Sequence, residues 1–313
     1  MKIRLLEMLV CPVCLPDEIQ LAEKITDING NDIINGELRC PGCGRIYPVK
    51  NGIADLDPNS YDINTGTEKK YENPSVVSSY IWSHFADIMD EESASDSYHK
   101  WTELIRPHSG TALDTGCAVG RFTFEMSRIC DLAVGIDNSH AFIKTARDLM
   151  INRSINISLK LEGCIHREAM LRLPESWDNE KTEFILGDAQ MLRLKKSSVS
   201  SFCSLNLVDK LPRPISHLKE MNRITRSKDA QFLLSDPFSW STDVAAVEEW
   251  LGGKNEGPLA GRGIDNIEHL LTDHSFSNSS PWVIESRGHV WWKIRTHENH
   301  FEQIRSCYIK AAR

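Results

Sequence analysis

Four cysteines near the start of the chain, Cys11, Cys14, Cys40 and Cys43, form two C-x2-C pairs separated by 25 residues. Two residues between cysteines allow a tight turn to aim both thiolates at one ion. Two such turns complete a tetrahedral four-sulfur shell with no position left open for chemistry, the pattern of structural zinc. Paired spacing of this kind argues against a redox C-x-x-C or two disulfides. A second set of residues is acidic and widely spaced: Asp114 in "ALDTGCAVGRFTF", Asp137 in "VGIDNS" and Asp188 in "GDAQ". Asp114 opens a turn carrying Gly116, Ala118 and Gly120, where glycine lets the backbone bend and a ligand approach closely. A carboxylate placed like Asp137 can accept both ribose hydroxyls of an adenosine, and one placed like Asp188 can accept from the adenine amino group. A further carboxylate, Asp209 in "NLVDKLP", is the first candidate for a general base, against the alternatives of a helix cap or an ion pair with Lys210 or Arg213.

These residues require elements that hold them. From residue 111 the chain alternates strand-like and helix-like segments: "TALDTG", "RFTFEMSRI", "LAVGIDNS", "HAFIKTARDLMIN", "TEFILGDA", "VSSFCSLNLVDKL", "PISHLKEMNRIT" and "AQFLLSDPF". Such alternation predicts an α/β fold with a doubly wound parallel sheet, and ligands at the carboxyl ends of its strands. "HVWWKIRTHENHFEQIRSCYIKAA" reads as a terminal antiparallel pair. Between these, residues 238–280 read as an insertion with two short helices, "DVAAVEEWLGG" and "GIDNIEHLLTDH", able to cap an acceptor pocket. Around the cysteines, "EIQLAEKITDINGNDIINGELRC" alternates apolar and polar residues about Asn-Gly turns, as short antiparallel strands do. The predicted organisation is a zinc ribbon over 1–58, a polar linker over 59–75 and a larger domain over 76–313. That domain opens with a helix carrying Tyr80, Trp82 and His84.

The ribbon segment resembles the small zinc-ribbon family that includes the activator subunit of tRNA and protein methyltransferases. The resemblance lies in "LLEMLVCPVC" and "LRCPGCGRIYPVKNGIADLDP" and departs from the usual short form in a longer middle loop. It implies a built-in module that stabilises a methyltransferase domain or shapes its substrate site. The larger domain resembles the class I S-adenosylmethionine-dependent methyltransferases, which implies a Rossmann-like sheet. That resemblance implies that Asp114, Gly116, Ala118 and Gly120 contact the methionine part, Asp137 the ribose and Asp188 the adenine. Cys117, Asn138, Ala189 and Asn206 complete the implied cofactor-binding set. A nicotinamide dehydrogenase, the structural rival, would usually show a third glycine where Ala118 stands. A closer resemblance, in "GCAVGRFTFEMSR", "GIDNSHAFIKTARDL", "NLVDKLPRPISHL", "DPFSWSTDV" and "EEWLGG", is to the methyltransferase domain of ovothiol biosynthesis, the 4-mercaptohistidine N-methyltransferases. It differs in the preceding ribbon and in Lys210, where that family more often has arginine. The implied acceptor is a small polar thiol or imidazole, with Tyr80 and Asp209 facing the transferred methyl group.

Composition bounds the alternatives. The chain has 313 residues, 41% of them apolar, with 36 basic and 44 acidic side chains for a net charge of −8. This disfavours a broad nucleic-acid or anionic-membrane footprint. The expectation is therefore a cytoplasmic enzyme with a small-molecule acceptor and no membrane partner. An RNA or protein methyltransferase using the ribbon for binding is the second reading, and a non-catalytic cofactor-binding scaffold the third. Trp240, Trp250, Trp282, Trp291 and Trp292 are expected mainly in core or domain contacts, and His289, His297 and His300 at the surface.

Overall fold

A computed structural model describes residues 1–57, 68–277 and 280–313. The chain begins with a 3-10 turn, Ile3–Met8, followed by a four-stranded antiparallel sheet: β1 (Ala22–Asn29), β2 (Asp32–Arg39), β3 (Ile46–Lys50) and β4 (Ile53–Ala54). Gly30 and Asn31 make the β1–β2 turn, with Asn29 opposite Asp32. The second Asn-Gly pair, Asn35-Gly36, is not a turn. Gly36 lies inside β2, paired with Ile25 on one side and Val49 on the other, and a Cβ there would stand 2.8 Å from the Lys24 carbonyl oxygen.

The larger domain is built on a seven-stranded sheet. Its parallel part comprises β5 (Thr111–Thr115), β6 (Leu132–Asp137), β9 (Thr182–Leu186), β10 (Ser201–Leu205) and β11 (Gln231–Asp236). The order is β12-β13-β11-β10-β5-β6-β9, with β12 (Val283–His297) and β13 (His300–Ala312) forming the expected antiparallel hairpin. Apart from Asp137 every residue of the five parallel strands is buried. Burial on both faces gives these strands no strict apolar–polar alternation, although β5, β9, β10 and β11 also bury polar residues such as Asp114, Glu183, Ser204 and Gln231. The helices are α1 (Glu68–Tyr71), α2 (Pro74–Phe85), α3 (Ser97–Glu103), α4 (Arg121–Met126), α5 (His140–Asn152), α6 (Pro214–Ile224), α7 (Gly263–Thr272) and α8 (His274–Ser277). Ser139 caps α5 by accepting from the Phe142 N–H, and α5 buries Phe142, Ile143, Ala146 and Leu149 against the sheet.

Two features differ from the sequence expectation. Residues 154–172 form a hairpin, β7 (Ser154–Glu162) with β8 (Ile165–Arg172), where no element was foreseen. Only Ile157, Leu159 and Leu171 of it are buried, too sparse an apolar face to stand out in sequence. Conversely "DVAAVEEWLGG" is not a helix: it holds a single 3-10 turn, Val247–Glu249. Near its end the Leu251 carbonyl accepts from the Asn266 side-chain amide, which also lies within hydrogen-bond distance of the carbonyls of Leu259 and Ala260 in the loop that follows. The second segment is helical as expected, as α7. Of the five tryptophans, Trp282 and Trp292 are buried, Trp240 and Trp250 stack on each other half-buried, and Trp291 is exposed. His289 and His300 are exposed and His297 half-buried.

The ribbon packs against the larger domain. Asp55 pairs alongside Leu186, and the Leu56 N–H donates to the Leu186 carbonyl (3.0 Å), extending the sheet beyond β9. Leu9 pairs with Leu194 nearby. One apolar cluster contains Leu5, Leu9 and Leu56 together with Val134, Ile136 and Ile185. Between the parts lies a buried ion-pair chain: Arg147 of α5 bonds Asp32 of β2 (2.6 Å) and Glu183 of β9. Residues 59–67 of the expected linker lie outside the described residues. Its end is ordered: Tyr71 of α1 packs its ring against Tyr80 and Phe142, and α2 begins at Pro74 with Asn73 as cap.

Candidate active site and metal centre

The four ribbon cysteines converge. Their sulfurs all lie within 4.8 Å of one another. Cys11 and Cys43 are 3.7 Å apart, and Cys14 and Cys40 are 3.6 Å apart. Zinc–sulfur bonds of about 2.3 Å in a tetrahedron put sulfurs about 3.8 Å apart, so the set fits that ion. The same separations are far beyond the roughly 2 Å of a disulfide, and all four cysteines are free. Tyr47 directs its hydroxyl at the Cys11 sulfur (3.4 Å), and the Cys43 N–H points at the Cys40 sulfur (3.4 Å).

The predicted donor-site residues gather at the carboxyl ends of β5, β6, β9 and β10. After β5 the chain turns through Gly116 (φ +70°) and Gly120 (φ +88°), conformations that glycine adopts without strain. Either position is also too tight for a side chain: a Cβ at Gly116 would stand 2.8 Å from Leu207, and one at Gly120 2.6 Å from the Phe184 ring. Ala118 between them is left-handed as well (φ +45°). Its N–H donates to Asp137 Oδ2 (2.9 Å), while Ser139 N–H donates to Oδ1 (2.9 Å). One donor per oxygen fixes the carboxylate and leaves lone pairs on each for further donors, which suits a ribose diol. Burial raises the Asp137 carboxyl to about 6, against the pull of those backbone donors. Asp114, buried and bonded by Thr123 Oγ1 (2.7 Å), is raised by burial to about 7.

The remaining members are unequal. Cys117 points its thiol into the core beneath the turn, beside the space over Gly135, so only its backbone belongs to the loop. Asn138 is exposed next to Asp137. Asp188 at the end of β9 accepts from Gln190 N–H (2.8 Å), and the Ala189 carbonyl faces His217 Nδ1 (2.9 Å). Asn206, left-handed at the end of β10 (φ +54°), accepts from the Ser306 hydroxyl.

Above this loop stands an aromatic shell. Tyr80 of α2 has its ring 4.8 Å from Phe142, 5.9 Å from His84 and 6.3 Å from Trp292. Burial above all, then the neighbouring Tyr71 and then the charges of Asp137 and Asp209, raise the Tyr80 phenol well above the usual range. Asp209 is 1% exposed. Its Oδ2 accepts from Ser239 N–H (2.7 Å) and pairs with Lys210 (3.2 Å), so of the two ion-pair partners weighed from sequence the structure shows Lys210. Asp209 Oδ1 is buried with no hydrogen-bond partner. Asp236, at the end of β11, is an additional member that was not singled out from sequence: its Oδ2 accepts from the Asp209 N–H (3.4 Å). Burial raises the Asp209 carboxyl, and burial together with Asp209 raises Asp236 further. Sequence carried a signal for it, since "LLSDP" is one more acidic strand end in the same series. Tyr71 and Phe142 had no such signal.

Residues 113–230 match the family model described as a methyltransferase domain. The chain carries a methyltransferase domain. Ahead of this domain, residues 2–52 match the model described as a Trm112p-like protein. The methyltransferase domain is α/β and Rossmann-like, and S-adenosylmethionine-dependent methyl transfer is the activity it supports. Among solved structures, the chain is similar to an S-adenosylmethionine-dependent methyltransferase from Aquifex aeolicus (12% identity, covering 80% of this chain and 98% of that one, TM-score 0.41). It is similar also to one from Methanosarcina mazei (16% identity, 67% and 94% covered, TM-score 0.42). A third is a chain of the complex between the Haloferax volcanii Trm112 methyltransferase activator and a candidate methyltransferase (12% identity, 82% and 99% covered, TM-score 0.42). No curated protein matches the chain. Among the described residues, no helix is long and apolar enough to cross a membrane.

Proposed function

We propose that the enzyme methylates a small polar acceptor, a thiol or an imidazole of mercaptohistidine type, inside the aromatic enclosure over the donor loop. The observation that carries this reading is the pairing of that enclosure, built by Tyr71, Tyr80, Phe142 and Trp292, with one buried carboxylate, Asp209, that has an unpartnered oxygen. Apolar walls with few convergent polar groups suit a metabolite-sized ligand better than an extended polymer. In this reading Gly116, Ala118 and Gly120 pass the backbone close to the amino-acid end of the donor. Asp137 takes the ribose, and Asp188 lies beside the adenine. When bound, S-adenosylmethionine supplies an already activated methyl group, so the chain's own task is to hold the acceptor in line, exclude water and accept a proton at Asp209. The ribbon serves its own methyltransferase domain in cis, through the Arg147 ion pairs and the strand added at Asp55, with zinc in its four-cysteine site.

The acceptor class is tested by incubating the enzyme with labelled donor and separate pools of small thiols, small imidazoles, total RNA and cell protein. Label is expected in the thiol or imidazole pool. Label found only in RNA or protein overturns the small-molecule reading.

The donor assignment is tested at Asp137. Asp137→Ala is expected to weaken S-adenosylhomocysteine binding about tenfold to a hundredfold by calorimetry, the cost of losing charge-assisted bonds. The ionised carboxylate is the form that accepts hydroxyl bonds. Because its pKa is raised to about 6, affinity in the parent is expected to be full above that value and to fall as pH drops through it, by at most about tenfold per unit. Affinity that is flat across that range in the parent, or unchanged in a folded Asp137→Ala protein, removes Asp137 from the donor site.

A further inference from the structure

Tyr80 lies on the donor side of α2, but the helix has another face. Along it Ser75, Ser78, Ser79 and Trp82 line an open cavity of about 470 Å³, lined on its other sides by the β7–β8 hairpin and by β12. The hairpin contributes Lys160 and His166, and β12 contributes Arg295 and His297. The side chain of Arg295 is only 5% exposed, yet its Nε and Nη1 have no hydrogen-bond partner. Nη2 alone is engaged, donating to the Lys160 carbonyl (3.1 Å). The nearest carboxylate in an ion pair with it, Glu91, is 3.8 Å from Nη1, outside hydrogen-bond range, and is already bound by Arg167 and by Trp82 Nε1 (3.3 Å). A guanidinium this deeply buried normally has its donors satisfied, because leaving them bare costs the desolvation of a charged group. The Trp82 ring, 5.7 Å from the guanidinium carbon, keeps it in place without using a donor. A second cation, Lys160, lines the same space, whereas the serine hydroxyls there already donate within the protein, Ser75 to Asn73, Ser78 to the Ser158 carbonyl and Ser79 to the Ser75 carbonyl.

We propose that this cavity is a second ligand site, separate from the donor loop, which binds the oxyanion of a small molecule, a carboxylate or a phosphate, at the Arg295 guanidinium. Lys160 supplies the outer charge. The site requires no catalytic step and rests on no assignment of the methyl acceptor.

The test is calorimetric titration of the full-length protein with two probes, inorganic phosphate and succinate, so that the preferred oxyanion is read directly. One equivalent of at least one probe is expected to bind. Saturation with S-adenosylhomocysteine should leave that affinity unchanged, and Arg295→Gln should weaken it about tenfold or more. Lys160→Gln, at the half-buried rim, should weaken it less. Absence of binding of both probes by the parent overturns the proposal, as does displacement by S-adenosylhomocysteine or unchanged affinity in a folded Arg295→Gln protein. Should Arg295→Gln lose its cooperative melt, Ser79→Phe decides, since it fills the cavity from α2 and leaves every cation in place. Anion binding retained in Ser79→Phe then overturns the site.

Discussion

Asp209→Asn is expected to lower kcat by about a hundredfold to ten-thousandfold while the dissociation constant for S-adenosylhomocysteine stays within about threefold. The asymmetry follows from position. Asp209 follows β10, with one oxygen held by Ser239 and Lys210 and the other buried without a partner, available to a proton on the acceptor. None of its contacts is to the turn of Gly116 to Gly120. Asparagine keeps the volume, and its amide oxygen can still accept from Ser239, so the fold should persist. Single-turnover kinetics with the acceptor identified by the labelling experiment, together with calorimetry, separates the two effects. If turnover and donor affinity fall by the same factor, Asp209 belongs to the donor site and the proton-accepting role is lost.

Cys40→Ser is expected to release the ion and lower thermal stability in a single transition shared by both parts of the chain. Structural four-cysteine zinc contributes about 10–16 kcal/mol of apparent binding energy to the folding of small ribbons, so removing one ligand should unfold this one. The larger domain should feel the loss, because Leu5, Leu9 and Leu56 belong to the same apolar cluster as Val134, Ile136 and Ile185. Unfolding the ribbon also removes Asp32 and leaves Arg147 with Glu183 alone; breaking one member out of a buried charge set typically costs about 3–5 kcal/mol. Elemental analysis of freshly purified protein should give one zinc per chain. A metal-free parent, or a Cys40→Ser protein with the parent's melting temperature, refutes the structural-zinc assignment.

How much of this could be read from sequence depended on the range of the interactions. The cysteine pairs were legible because each turn is local and its chemistry is specific. The parallel strands were legible because burial on both faces writes a run without strict apolar–polar alternation that ends in an acid. Asp114, Asp137 and Asp188 were therefore found in order, and Asp236 belongs to the same pattern. The β7–β8 hairpin was not legible, since most of its residues face solvent. "DVAAVEEWLGG" was misread because its composition favours helix, whereas it holds only the 3-10 turn Val247–Glu249, with the Leu251 carbonyl bonded by Asn266 of a later element. The aromatic shell depends on rings brought together from α1, α2, α5 and β12. The ribbon contact rests on Arg147 meeting Asp32, 115 residues away in sequence. No periodicity records such meetings.

The strand that the ribbon adds at Asp55 has a further meaning for the life of the protein in a crowded solution. β9 is the last strand of the sheet on its side, and an uncovered last strand offers a row of free amide and carbonyl groups on which another chain can pair. Leu56 and Leu186 occupy that row with a bond inside the same molecule. If zinc holds the ribbon as proposed, stripping the ion with a chelator or an oxidant of the thiolates is expected to bare the edge of β9 and promote self-association. Damage to the ribbon would then be seen first as turbidity rather than as a slower enzyme.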